Sequence, residues 1–87
     1  MASFVLSYDL RNQRDYQPLW DELARFNAVR VLESLWWFER YQTKAAGLRD
    51  HFRQFLDQDD GLMVMEITDW ATIRARALPK DAAVTLR

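Results

Sequence analysis

Residues 3–10, Ser-Phe-Val-Leu-Ser-Tyr-Asp-Leu, constrain this chain more than any other stretch. They alternate, they are rich in β-formers, and they bring a carboxylate, Asp9, to the end of the run. Side chains two apart share a face of a strand, so Phe4, Leu6 and Tyr8 point one way. Val5, Ser7 and Asp9 point the other. Asp9 has two readings at this stage: the first residue of a loop, or a metal ligand at the rim of a sheet.

The rest of the chain supplies partners for that strand. Arg11-Asn12-Gln13-Arg14-Asp15 is polar and loop-like. Asp15 or Gln17 is placed to cap a helix that tolerates Pro18 in its first turn. Leu19, Trp20, Leu23 and Phe26 recur at helical spacing, while Asp21, Glu22 and Arg25 fall away from them. The helix is expected to end near Asn27, a residue that accepts left-handed backbone. Residues 28–41 are β-branched and aromatic and too long for one strand. They divide into strands over about 28–35 and 36–41, with Glu33-Ser34 at a bend or bulge. Thr43 reads as the cap of a second helix over 44–56, with Leu48, Phe52, Phe55 and Leu56 as its stripe. Gly47 there implies either close packing or a local weakness. Asp57-Gln58-Asp59-Asp60-Gly61 is a turn in which Gly61 is free to take positive φ. Residues 62–68 form a fourth strand. A short helix is expected from Asp69 through Trp70 and Ile73 toward Arg76, followed by a tail or a swapped edge strand.

The order β-α-β-β-α-β predicts an α+β, ferredoxin-like sandwich: one antiparallel sheet with two helices on one face. The core spans 3–68 of a single domain over 1–87. If Asp9 and Glu66 lie on the uncovered face, that face is apolar at one end and acidic toward the other. Such a face in a chain of 87 residues predicts a homodimer. Four Trp are more than one small core needs, which points some of them toward an interface.

The absence of cysteine removes disulfides, thiolate metal sites and Cys nucleophiles. A cytoplasmic location without membrane contact is expected, since no stretch has the length of a signal or membrane span. A net charge of −1 is not the bulk signature of a nucleic-acid binder. Gly-rich phosphate loops, zinc spacings and nucleophile elbows are absent from the sequence. His51, the single histidine, reads as a helix-flank or partly buried residue rather than a catalytic one. Asp57, Asp59 and Asp60 lack EF-hand spacing and read as a solvated turn. Trp36 and Trp37 read as core or interface rather than base-stacking residues. Asp9, with Ser7 on its face, is the better candidate: doubled by a two-fold axis, it would hold Mg²⁺ for phosphodiester cleavage. Arg11 and Arg14 lie in the adjoining loop and Arg30 adds a third guanidinium; they read either as phosphate contacts or as ordinary charged surface.

Three segments resemble the small CRISPR-associated proteins of the Cas-two type. They are Ser7-Tyr8-Asp9-Leu10, Arg30-Val31-Leu32-Glu33-Ser34-Leu35-Trp36, and Phe55-Leu56-Asp57-Gln58-Asp59-Asp60-Gly61-Leu62, in the family's order over residues 3–68. The double Trp and Asp69-Trp70-Ala71 look more like stand-alone SinR-like relatives, and VapD-type toxin ribonucleases share the strand-one aspartate. The resemblance implies a homodimer with paired aspartates, acting as an Mg²⁺-dependent endonuclease or as a scaffold for duplex DNA. Its metal-site aspartate falls on Asp9, and its strand-two arginine and serine fall on Arg30 and Ser34. The acidic first helix, with Asp21 and Glu22, departs from the family's basic one and weakens the DNA-scaffold role. The resulting expectation is a weak Mg²⁺-dependent endoribonuclease. Asp9 would be the metal ligand, Asp9 and Ser34 the catalytic pair, and Arg11, Arg14 and Arg30 the RNA grip. The alternative is a non-catalytic nucleic-acid or protein-binding dimer.

Overall fold

The structure is a computed structural model and describes residues 1–11 and 16–79. The elements are β1 (Ala2–Asp9), α1 (Gln17–Arg25), β2 (Val29–Leu32), β3 (Leu35–Arg40), α2 (Ala45–Arg53) and β4 (Gly61–Ile67). The strands form one sheet in the order β2-β3-β1-β4, with every neighbouring pair antiparallel. A small α+β chain with β3 inserted between β1 and β2 is compatible with the ferredoxin-like sandwich.

Alternation in β1 sorts the molecule as expected. Phe4, Leu6 and Tyr8 join Leu19 and Leu23 of α1, Phe38 of β3, and Leu48 and Phe52 of α2 in the main core. Phe4, Leu6, Leu23, Phe38 and Phe52 are wholly buried, each worth about 1.5–3 kcal/mol of transfer free energy. α1 ends as its sequence implies. Asn27 takes φ 55°, while the Asn27 and Ala28 amides donate to the carbonyls of Ala24 and Leu23. That is the Schellman arrangement, which satisfies the last carbonyls of a helix.

Several expectations change. The long β-segment breaks at a two-residue turn, Glu33-Ser34, so β2 is only four residues and carries an irregularity between Arg30 and Leu32. α2 is shorter at both ends. Lys44 precedes it without a side-chain cap, and Gln54, Phe55 and Leu56 turn back onto the carbonyls of His51, Phe52 and Arg53. These tighter bonds close the helix three residues early. Gly61 does not use positive φ. Gly47 has only Thr43 Oγ1, 3.6 Å from where a Cβ would sit, so it marks weakness rather than close packing.

Two corrections concern charge. Glu66 pairs in register with Phe4 and therefore projects to the helix side, leaving Asp9 without an acidic neighbour from β4 on its own face. Glu22 is buried rather than solvent-facing, because positions 19, 22, 23 and 26 form one stripe of a helix.

The second sheet face is not open. Residues 68–79 contain no helix or strand and lie against that face. The expected helix after Asp69 is replaced by a strap that reaches the β2 edge. There the Arg76 amide donates to the Val31 carbonyl at 2.8 Å, and the Arg76 guanidinium meets Glu33 at 3.2 Å. Val5, Val31 and Trp37 form a second buried cluster with Ala75 packed against it, and Pro79 is buried as well. A cavity of about 160 Å³ remains between strap and sheet, lined by Val5, Trp37, Met65 and Trp70 among others. The premise of a bare apolar face thus fails in large part. Leu32, Met63, Trp70 and Ile73 are among the apolar side chains that stay exposed, with Met63 beside Ser7 toward the Asp9 end. The expected swapped strand falls on residues 80–87, outside those described.

Candidate functional site at the end of β1

A hydrogen-bonded network fastens the β2–β3 turn to β1 and α1. The Tyr8 amide donates to the Ser34 carbonyl at 3.2 Å. The Tyr8 hydroxyl donates to the Glu33 carbonyl at 3.2 Å and accepts the Trp20 indole N–H at 3.0 Å. Arg30 sends two further donors to the Glu33 carbonyl, at 2.9 and 2.6 Å. Its guanidinium also lies over Trp20 and Trp36, 4.9 and 5.7 Å from the ring centres. Planar stacking with a forked pair of donors is a task for arginine and not for lysine.

This network opens one cleft of about 280 Å³ whose lining includes Asp9, Tyr16, Trp20, Arg30, Glu33 and Ser34. Three residues chosen from sequence, Asp9, Ser34 and Arg30, therefore come together. Ser7 does not line the cleft; it sits between Leu35 and Met63. Arg14 lies outside the described residues.

Asp9 stands at the rim with its side chain 72% exposed, and Arg11 Nε approaches its Oδ2 at 3.2 Å. The position of Arg11 is fixed from below. Its amide donates to Asp60 Oδ1, and the other oxygen of that carboxylate takes the Asp57 amide. Asp60, read from sequence as a solvated turn residue, thus ties the loop after β1 to the turn before β4. Gly61 faces Asp9 in register, and a Cβ there would come within 2.9 Å of the Arg11 guanidinium. Its missing side chain makes room for that cation.

As a metal centre this is half a site. Among the described residues no three His, Cys, Asp or Glu side chains gather around one point. One exposed carboxylate beside a cation does not hold Mg²⁺ by itself, although two carboxylates with water would.

A second polar cluster was not legible as such. Glu22 receives Arg25 at 2.6 Å and His51 Nε2 at 2.5 Å, joining α1 to α2. The His51 bond holds the Glu22 carboxyl below its ordinary range, and burial opposes that effect. The available signal was the position of Glu22 within the apolar stripe. Its partner on the other helix has no local sequence mark. The His51 ring packs between Phe26 and Phe55 with its side chain partly buried, one of the two positions that the sequence allowed.

No protein-family model matches the chain, and no solved structure matches it. The class defined by the fold and the cleft is a small α+β protein with an acid–base rim at the end of its central strand. No described helix is long and apolar enough to cross a membrane.

Proposed function

We propose that the chain acts as a homodimer that binds RNA and cleaves its phosphodiester backbone weakly, with Mg²⁺ between two copies of Asp9. The observation that carries this reading is the cleft itself. Asp9 ends the best-anchored strand, beside Ser34 and within reach of Arg11. The resemblance of these segments to Cas-two-type and VapD-type proteins points the same way. Exposed Met63, on the Asp9 face and beyond the strap, offers an apolar contact for a second copy.

The donor set of one chain fits the ion only when doubled, so Asp9 of each copy would hold it and water would complete the shell. Bound there, the ion supplies Lewis acidity and an activated water. The chain's own residues do the positioning. Arg11, released from Asp9, turns to a phosphate oxygen. Ser34 orients the same group from the fastened turn. In the sequence reading Arg14 adds a further backbone contact. The test compares wild type with Asp9→Asn on labelled RNA, with and without Mg²⁺. Cleavage by wild type alone, only with the ion, is expected. Equal cleavage by both, or none by either, overturns the proposal.

A second reading has its own observation: Arg11 already neutralises the single carboxylate. In that reading the dimer is a non-catalytic module that binds RNA or duplex DNA, and binding survives both Asp9→Asn and removal of metal.

A further inference from the structure

β1 places Val5 between Trp37 of β3 and Met65 of β4 in one cross-strand row, on the sheet face away from the main core. The strands that carry those two larger residues lie about 9–10 Å apart, twice the spacing of neighbours. A valine between them leaves a hollow, and residues 68–79 roof it rather than fill it. The result is the cavity of about 160 Å³ between strap and sheet. We infer that this cavity is a binding site for one small, neutral aromatic ring. The inference does not depend on the chain binding or cleaving RNA.

Size selects the guest. Pockets for drug-sized ligands run to about 300–1,000 Å³. An apolar-walled cavity of about 150 Å³, by contrast, stays dry when empty and takes up benzene. The hollow over Val5 is of the second kind. Water is a poor occupant, because it needs about two to four polar partners and this lining is apolar nearly throughout.

Charge and wall chemistry narrow the class further. Among the described residues that line the cavity there is no Asp, Glu, Lys or Arg, so a charged guest would lose its water without gaining a partner. The lining does include Trp37, Trp70 and Met65. Ring–ring and sulfur–ring contacts add to simple burial, so an aromatic guest is favoured over an aliphatic one of equal size.

The site is also accessible and formed in advance. Leu32 on β2 and Trp70 on the strap line the cavity while remaining 41% and 37% exposed, which marks the side open to solvent. The roof is tied at the Arg76 amide to the Val31 carbonyl. A guest that enters a space already built spends little entropy on ordering it.

The test is a fluorine NMR titration of the full chain with fluorobenzene, fluorocyclohexane and 4-fluorobenzoate. Fluorobenzene is expected to saturate a single site per chain, with half-saturation at or below about 1 mM. Fluorocyclohexane should bind about threefold to tenfold more weakly. The charged benzoate should show no saturation over the same range. Val5→Phe fills the hollow and should weaken fluorobenzene by at least about tenfold. Trp70→Ala removes a wall ring at a partly exposed position and should weaken it about fivefold. That second variant decides the matter if Val5→Phe does not fold. Absence of saturable binding by the wild type overturns the inference, the space then being filled by residues outside those described or by a second copy. Equal binding of the aliphatic or the charged probe overturns it too, as does an affinity that survives unchanged in either folded variant.

Discussion

His51 Nε2 lies 2.5 Å from Glu22 Oε2, so a half-exposed imidazole on one helix holds a buried carboxylate on the other. Burying a carboxylate costs free energy that only paired donors offset, and here His51 and Arg25 both contribute. Because the Glu22 pKa lies below its ordinary 4.5, the stabilisation is present above that value and is lost as pH falls through the folded value. His51→Ala removes the largest cause of the depression. It should cost about 2 kcal/mol at neutral pH and move the onset of acid unfolding upward. Urea melts of the two proteins across about pH 3–7, which spans the carboxylate range, test this. An unchanged acid limb refutes it.

That pair also shows where the sequence stops being readable. The sheet side of each residue in β1 followed from alternation alone, because a strand has only two faces and the apolar one must be covered. The α1 terminus followed from Asn27, a local signal. Glu22 misled because charge was weighed above its place in the stripe, and its partner lies 29 positions away. The strap was hidden for a different reason. Residues 68–79 have no period, and their cover of Val5 and Trp37 rests on scattered apolar contacts such as those of Ala75 and Pro79, with one backbone bond to Val31. Within the candidate site, Asp9 was legible as a strand end and Arg30 as a charged strand residue, whereas Ser34 was reached only through the family resemblance. The triple use of the Glu33 carbonyl was not legible, since a backbone acceptor leaves no trace in residue type.

Gly47 offers a direct gain. It sits inside α2, exposed, with Thr43 Oγ1 at an ordinary 3.6 Å from an added Cβ. Gly47→Ala should stabilise the chain by about 0.5–1 kcal/mol through helix propensity alone. A raised thermal midpoint with unchanged RNA affinity is the expected result.

Arg30 and Arg11 should separate cleanly, although both were read from sequence as phosphate contacts. Arg30 is engaged by stacking and by its fork onto Glu33, so Arg30→Lys should lose about 1–2 kcal/mol of stability and alter tryptophan fluorescence. Arg11 is 59% exposed at its side chain and makes a surface pair worth little to folding. Arg11→Ala should leave the melt unchanged while lowering the salt slope of RNA binding by about 1. Salt titrations of both variants decide the matter, and equal slopes would contradict this division.

The strap yields the last prediction. Trp37 is 3% exposed and Val31 4%, yet both belong to the sheet face that no helix covers. Their burial depends on residues 68–79, which are held by the Arg76–Val31 backbone bond, the exposed Arg76–Glu33 pair and the apolar contacts of Ala75 and Pro79. An exposed ion pair adds little, so the apolar contacts carry the attachment. Truncation after Thr68 should therefore uncover a contiguous apolar patch running from Trp37 through Val5 to Met65, adjoining the already exposed Met63. A patch of that kind on so small a chain is covered by self-association or by dye. The truncated protein should bind an apolar fluorophore and sediment as a larger species than the full chain, whereas Arg76→Ala alone should do neither, because the backbone bond survives it. If truncation leaves both dye binding and sedimentation unchanged, the strap is not what buries Trp37.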